Sequence, residues 1–408
     1  MDHLLYWIWL SLRAGAGSEL GSYLLKYFPS PKEIYEADEA TLRAIEGIDD
    51  NLAAALLDRD LTMSEKILRY CERCNVGIMT AAGGIYPERL RGIHAKPLVL
   101  YYRGRVPDID DNVLIACVGT RKCSERGAEA AYRLGAELAQ AGAIVVSGMA
   151  LGIDAYAHRG ALKAGGHTIA VLGCGIDRVY PSEHKALMDE IAERGTLLTE
   201  FAPGTDPNGK NFPIRNRIIS GLSQATVVVE ANLYSGSLIT ARYAKAQGRE
   251  VFACPGHAGD PLAEGTNQLI QNGAKLVTCA ADILDEYELL YPHRIFTENI
   301  PKRPRNSSRR SAQISAPKKD REAPPMKKAG SAPTPAEPSK NKNAIELDGL
   351  EKQLYDCFSG VMTSDELAAE LSRKYGISCD VGTLLGALTM LEIGGFIEAL
   401  PGGSYRIL

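Results

Sequence analysis

The sequence has no hydrophobic run long enough to cross a bilayer and little excess charge of either sign. Its 46 Lys and Arg against 50 Asp and Glu give a formal net charge of −4 over 408 residues, which by itself indicates no nucleic-acid partner. The apolar stretch 4–12 is short and follows Asp2 rather than a basic segment, so it predicts neither a signal peptide nor a membrane span. We therefore expect a cytoplasmic protein with no membrane contact.

Cysteine is sparse, with 9 in the chain. The single Cys-x-x-Cys pair, Cys71 and Cys74, has no second pair at zinc-ribbon spacing. Scattered thiols, one of them (Cys117) inside an apolar strand-like run, are typical of reduced cysteines in a cytosol. We predict no metal site.

Nucleotide-cofactor motifs are also missing. The turn after the first predicted strand, 119–121, lacks G-x-G-x-x-G, and no G-K-[ST] loop occurs. The second predicted strand ends at Ser147-Gly148 without the carboxylate that a dinucleotide site needs for the ribose. Asp154 and His158 are spaced four apart and could form an acid–base or metal pair, but a capping Asp near a His at a helix start is more common. We predict no cofactor and no catalysis.

Short apolar runs alternate with helical stretches over residues 76–291. Runs that are apolar on both faces and separated by helices predict an α/β fold with a doubly wound, mostly parallel, Rossmann-like sheet. The predicted strands are 113–118, 143–147, 168–172, 197–200, 226–231, 250–254 and 275–278.

Residues 1–75 are predicted to form a helical domain similar to a SAM or helix-hairpin-helix unit. The segment 42–48 followed by a helix at 52–57 could offer turn amides to a phosphate. Asp49 and Asp50 directly after that turn would repel it, so the alternative, a helical packing domain, is favoured.

The end of the chain divides into two predicted segments. Residues 292–343 hold nine prolines and no periodic apolar pattern, and 297–343 carry twelve Lys and Arg against four Asp and Glu; this composition predicts a disordered basic linker. Such a linker could serve as a DNA tether or as a solvated spacer. Residues 344–408 have three helices followed by a hairpin, the order of a winged-helix domain, with Thr363 and Glu366 as a capping box.

Glycine-rich turns follow several predicted strands, at 119–121, 147–154 and 234–237. The carboxyl ends of parallel strands meet at one edge of the sheet, where helix N-termini favour anions. Glycine lets the backbone approach a phosphate, and serine adds hydroxyl donors. Several such turns on one rim predict binding of a repeating anion.

Residues 210–217 add cations, an aromatic ring and a proline expected to fix a turn before a helix. Cations beside a base-stacking ring are typical of single-strand recognition. Arg215 and Arg217 could instead pair with Glu200 and Glu230. We predict that one arginine is a buried strut, with Arg215 as the candidate, and that the other reaches the ligand.

The ordered motifs resemble the DNA-processing protein A (DprA/Smf) family. They are 147–162, 168–173, Tyr180-Pro181, 212–217, 235–241, Pro255-Gly256 and 267–274, with a lead-in at 86–101. The resemblance implies a homodimer that binds single-stranded DNA and helps load RecA recombinase during natural transformation. The predicted DNA-binding residues are Arg121, Ser147, Gly148, Met149, Gly152, Lys210, Phe212, Arg215, Asn216, Arg217, Ser235, Gly236 and Ser237.

An enzyme is the alternative, in the form of a nucleotide-processing phosphoribohydrolase of the lysine-decarboxylase-like group. Those enzymes carry a Pro-Gly-Gly-x-Gly-Thr loop before a catalytic Glu. This chain has 234–238 at the corresponding turn, and Pro255-Gly256 continues into 257–260 without that Glu.

The predicted winged-helix domain has the wrong charge for a duplex reader. Its third helix, 381–393, has no basic residue, and 344–408 hold four Lys and Arg against ten Asp and Glu. Phosphates would be repelled. We expect this domain to bind protein rather than DNA, either a partner or the basic face of its own Rossmann-like crevice.

Overall fold

The computed structural model describes residues 2–300, 349–377, 381–393, 396–400 and 404–407. The predicted linker from residue 301 to its end at 343, the residues up to 348, and the turn of the predicted C-terminal hairpin at 401–403 lie outside these residues. Within the described part of the chain, no helix is both long and apolar enough to cross a membrane.

Six helices make up residues 2–73, as the sequence predicts. Asp38 and Asp49 cap two of them by accepting hydrogen bonds from backbone N–H groups, which satisfies donors that helix starts leave free. In the segment resembling a helix-hairpin-helix, Arg43 pairs with Asp50. The positive charge of Arg43 is therefore compensated by the carboxylate of the following helix. The helices are α1 Asp2–Ala14, α2 Leu20–Leu24, α3 Pro31–Glu36, α4 Glu39–Arg43, α5 Asp50–Leu57 and α6 Thr62–Arg73.

A nine-stranded sheet follows, in the order β1-β2-β6-β5-β4-β3-β7-β8-β9. The seven predicted strands are present and pair in parallel, so the predicted α/β class with a mostly parallel sheet is confirmed. β1 and β2, which the pattern did not predict, add antiparallel to one side. The strands are β1 Gly77–Thr80, β2 Val99–Gly104, β3 Leu114–Val118, β4 Ile144–Ser147, β5 Thr168–Val171, β6 Thr196–Thr199, β7 Ala225–Val228, β8 Glu250–Ala253 and β9 Lys275–Leu276.

Helices cover both faces of this sheet. Pro213, expected in a turn before a helix, lies inside the first turn of α11; the N–H groups there have no helical partner, so proline is tolerated. A short 3₁₀ helix, Ser182–His184, precedes α10. The helices are α7 Glu88–Arg91, α8 Glu125–Gln140, α9 Ile153–Lys163, α10 Lys185–Arg194, α11 Asn211–Leu222, α12 Gly236–Ala246, α13 Glu264–Gln271 and α14 Ala281–Leu284.

The helical head and one face of the sheet share a single hydrophobic core. Trp9 of α1, Met79 of β1 and Leu100 of β2 belong to the same buried cluster. The other face has its own cluster, which includes Ile295 and Ile300. The predicted linker start at about Pro292 is therefore too early, because residues up to 300 pack on this core.

The C-terminal unit, defined as the described residues from 349 onward, has a separate core that includes Leu354, Leu371 and Leu388. The predicted capping box of Thr363 and Glu366 starts its second helix. Three short strands pair in the order β10-β12-β11. The elements are α15 Gly349–Tyr355, β10 Met362–Thr363, α16 Ser364–Tyr375, α17 Val381–Ile393, β11 Ile397–Leu400 and β12 Ser404–Ile407.

Candidate nucleic-acid interface

A crevice of about 880 Å³ lies beyond the carboxyl ends of the central parallel strands. Arg121 and Lys122, in the turn after β3, are exposed cations on its wall. The turn after β7 also lines the crevice, and its Tyr234 is 51% exposed. The crevice therefore combines positive charge with accessible aromatic surface, at the edge where the sequence analysis placed it.

Two aromatic rings, tilted against each other, line this crevice. The centroids of Tyr180 and Phe212 are 5.1 Å apart with an interplanar angle of 32°, and the Arg121 guanidinium carbon lies 5.2 Å from the Phe212 centroid. Tyr180 is 39% exposed, whereas Phe212 is half-buried. Tyr180 and Lys122 were not among the predicted site residues. Their positions after β5 and β3, at the same edge as the predicted turns, are the signal that could have identified them.

The predicted phosphate turn 147–152 is mostly held by internal contacts, and only its Ala150 lines the crevice. The Ser147 hydroxyl is fully buried and donates to the Cys117 carbonyl at 2.6 Å. The Gly148 and Ala150 N–H groups donate to the Asp154 carboxylate at 3.0 and 3.4 Å. Ser147, Gly148, Met149 and Gly152 are thus absent from the crevice lining, because this turn uses its amides internally.

The conformation of this turn requires glycine. A Cβ on Gly148 would lie 2.5 Å from a guanidinium nitrogen of Arg215 and 2.8 Å from an Asp154 carboxylate oxygen. Gly152 has φ +75°, and a Cβ there would lie 2.3 Å from the Thr120 carbonyl oxygen. Met149 also has a positive φ, of 55°, and its carbonyl accepts a hydrogen bond from His184. Side chains packed behind the turn therefore fix its shape.

Arg215 and Arg217 are both buried and hydrogen-bonded, whereas the sequence predicted one buried strut and one arginine that reaches the ligand. Arg217 is 2% exposed and donates to both Glu200 carboxylate oxygens, at 2.7 and 2.8 Å. The predicted Glu200 pairing is present, and Arg217, which was expected to reach the ligand, is a strut. Glu230, the other expected partner, accepts hydrogen bonds from Ser124 instead.

Arg215 lines the crevice although it is only 3% exposed. Its guanidinium donates to the Gly148 carbonyl at 2.8 Å and to the Val171 carbonyl. Burial lowers the pKa of Arg215 to about 10, and burial raises the pKa of Asp154 against the opposing effect of Arg215. Arg215 therefore places a partly sheltered positive charge at the base of the crevice.

Asn216 and the turn 235–237 meet at the start of α12. The Asn216 amide donates to the Gly236 carbonyl at 3.3 Å, and the Ser235 and Ser237 hydroxyls are 2.8 Å apart. These residues line the crevice. Lys210 is exposed at the start of α11 next to Gly209, which lines the crevice.

Asp154 and His158, spaced for an acid–base pair, bond to different partners. His158 is fully buried, and its Nδ1 lies 2.7 Å from the Thr168 hydroxyl oxygen. Burial lowers the pKa of His158 to about 3, so the ring is neutral. Asp154 is held by the turn amides, and the spacing thus reflects two separate structural contacts.

A family described as DNA recombination-mediator protein A matches residues 77–288, the region that holds the sheet and the crevice. The chain belongs to this family. The predicted DprA/Smf resemblance is therefore confirmed.

Bacterial members of the family are similar to half or more of this chain. The DNA processing protein DprA of Streptococcus pneumoniae is 45% identical over 203 residues, which are 50% of this chain and 71% of that protein. Its X-ray structure superposes with a TM-score of 0.61 at 35% identity, covering 69% of this chain and 97% of that one. Protein Smf of Synechocystis is 36% identical over 289 residues, which are 70% of this chain and 71% of that protein.

Proposed function

We propose that this protein binds single-stranded DNA in the crevice and acts in recombination without catalysing a reaction. The family supports the role in recombination. The observation that carries the strand-binding role is the exposed Tyr180 ring, in tilted contact with Phe212, beside Arg121 and Lys122.

This combination suits an unpaired strand. Bases in a duplex have their faces covered by neighbouring bases, whereas an unpaired base can stack on an aromatic ring. Exposed cations next to the rings attract the phosphates of the same strand without reading base edges. We therefore expect strong preference for single strands and little sequence preference.

The test is fluorescence anisotropy with labelled oligo-dT and a matched duplex over a series of salt concentrations. We expect much tighter binding of the single strand. Arg121→Ala and Lys122→Ala should each lower the salt slope of binding by roughly one. The matched control is Arg69→Ala, which removes an exposed cation on α6, away from the crevice, and should leave binding unchanged.

Equal affinity for both forms of DNA would contradict the proposal, as would binding that does not depend on salt. An Arg69→Ala effect as large as that of Arg121→Ala would show that total charge, not the crevice, governs binding. Recovery of the labelled oligonucleotide unchanged after long incubation is the result expected for a protein without catalysis.

The same proposal includes the cellular role. We infer a cytoplasmic homodimer that helps load RecA recombinase onto incoming strands in natural transformation; the family's description as a recombination mediator supports it. Sedimentation should give a dimer, and the protein should accelerate RecA filament formation on single strands coated by a competing single-strand-binding protein. A monomer that leaves the filament rate unchanged would contradict this part.

A further inference from the structure

The C-terminal unit packs against the helices that form one wall of the crevice. α17 contacts both α11 and α12. The approach is close at Gly386, because a Cβ there would lie 2.1 Å from the Cδ1 atom of Ile239 on α12. The unit therefore contacts the crevice domain of its own chain at α12, whereas the sequence left open a partner or the basic face of the crevice.

An ion pair joins α12 to the C-terminal unit. Arg242 on α12 pairs with Glu351 on α15, with an Nη2–Oε2 distance of 3.1 Å for its second hydrogen bond. Glu351 is only 7% exposed. A carboxylate that is buried to this extent depends on its partner, because removing one side of such a pair leaves an uncompensated charge.

The contact reaches the crevice itself. Gly376, Ile377 and Thr383 of the C-terminal unit line the same crevice as Arg121 and Phe212. A second cavity, of about 150 Å³, lies between the unit and α12, and its walls come from both sides. The unit therefore stands over the turn 235–237, at the mouth of the proposed strand site.

The net charge of the C-terminal unit indicates its effect on DNA binding in the crevice. Residues 344–408 have four Lys and Arg against ten Asp and Glu, which is the same sign as a DNA backbone, and the three residues it adds to the crevice wall are uncharged. A unit with this excess of negative charge is attracted to the positively charged crevice when no DNA is bound. It repels a DNA strand that enters the crevice. We propose that the C-terminal unit is a displaceable occupant of the crevice mouth, and that single-stranded DNA must move it aside to bind.

This proposal rests on the proposed function, and point variants of the full chain test it by anisotropy on oligo-dT. Glu351→Arg places a second positive charge beside Arg242, so the two arginines repel each other and the C-terminal unit should detach from α12. Binding should then tighten by about three- to tenfold, because a larger fraction of the protein is competent. Gly386→Phe, which wedges α17 away from Ile239 without a change of charge, should tighten binding in the same direction.

The matched control is Glu398→Arg. It changes the charge of the same unit by the same amount, but Glu398 pairs with Arg406 inside the unit and should leave affinity unchanged. The exchanged pair Arg242→Glu with Glu351→Arg restores the attraction and should return affinity to the wild-type value. In the wild-type chain, hydrogen exchange at α17 should become faster when oligo-dT is added.

The outcomes separate the two proposals. Equal tightening by Glu351→Arg and Glu398→Arg would overturn this inference in favour of a bulk charge effect. Weaker binding by Glu351→Arg and Gly386→Phe, or protection of α17 by DNA, would show that the unit helps to hold the strand and would also overturn it. Failure of the wild type and all variants to bind any single strand would overturn the proposed function itself.

Discussion

Arg217 has its guanidinium occupied by Glu200 and by the Ala95 carbonyl. A side chain held in this way joins α11 to the end of β6 and to the segment before β2. Arg215, two residues earlier on the same helix, turns toward the crevice instead. The pattern of the sequence offered two carboxylates as partners but not their distances, so it predicted one strut, with Arg215 as the candidate, and not that both arginines are buried.

Arg217→Ala should lower the free energy of unfolding by about 3–5 kcal/mol, because it leaves the buried Glu200 carboxylate without its partner. Urea unfolding followed by circular dichroism measures the change. The double variant Arg217→Met with Glu200→Leu, which removes both charges, should recover much of the loss. If Arg217→Ala unfolds like the wild type but no longer binds DNA, Arg217 contacts the strand after all.

At the scale of single elements, the turn between β4 and α9 shows that a motif can predict where a turn lies but not which groups its amides bind. Its glycines and serine suggested an open phosphate site, and the strands and helix around it were predicted correctly. The turn amides donate to Asp154 because of the direction in which this side chain points once α9 has packed. The local sequence does not encode that direction. The strand β10 was missed because its two residues are too few to show a periodicity.

Gly148→Ala should weaken oligo-dT binding about tenfold or more, because the new Cβ pushes against Arg215 and Asp154 together and an overpacked site costs about 1–3 kcal/mol. Anisotropy and urea unfolding of the same preparation measure both effects. The matched control is Gly84→Ala, where a Cβ meets no atom within 4 Å. Wild-type behaviour of Gly148→Ala in both measurements would show that the turn yields easily and does not shape the crevice.

For the whole molecule, the buried His158 and the half-buried His167 contribute to the dependence of stability on pH. His158 has its pKa lowered to about 3 and His167 to about 4, in both cases mainly by burial. The unfolded chain takes up protons at these sites below its ordinary pKa of about 6.5, while the folded chain does not. This stability is therefore complete above pH 6.5 and is lost as the pH falls toward 4 and then 3.

The free energy of unfolding should fall by up to about 1.4 kcal/mol for each histidine per pH unit below 6.5. Urea unfolding at pH 7.5, 6.5, 5.5 and 4.5 gives the slope. His158→Asn should make this slope shallower, whatever it does to stability at pH 7.5, whereas the exposed His257→Asn should not change it. An unchanged slope in His158→Asn would mean that other groups account for the acid sensitivity.

The core that the helical head shares with β1 and β2 has a practical consequence. The family match starts at residue 77, and an expression fragment cut there would look like a natural unit. Yet α1 and α6 pack on β2 and β1, and Met79, Leu100 and Tyr101 are almost completely buried. Without the head, this apolar surface would adjoin the open edge of β1, and an exposed strand edge beside apolar surface is a template for aggregation. A fragment intended to stay in solution should therefore begin at the first helix.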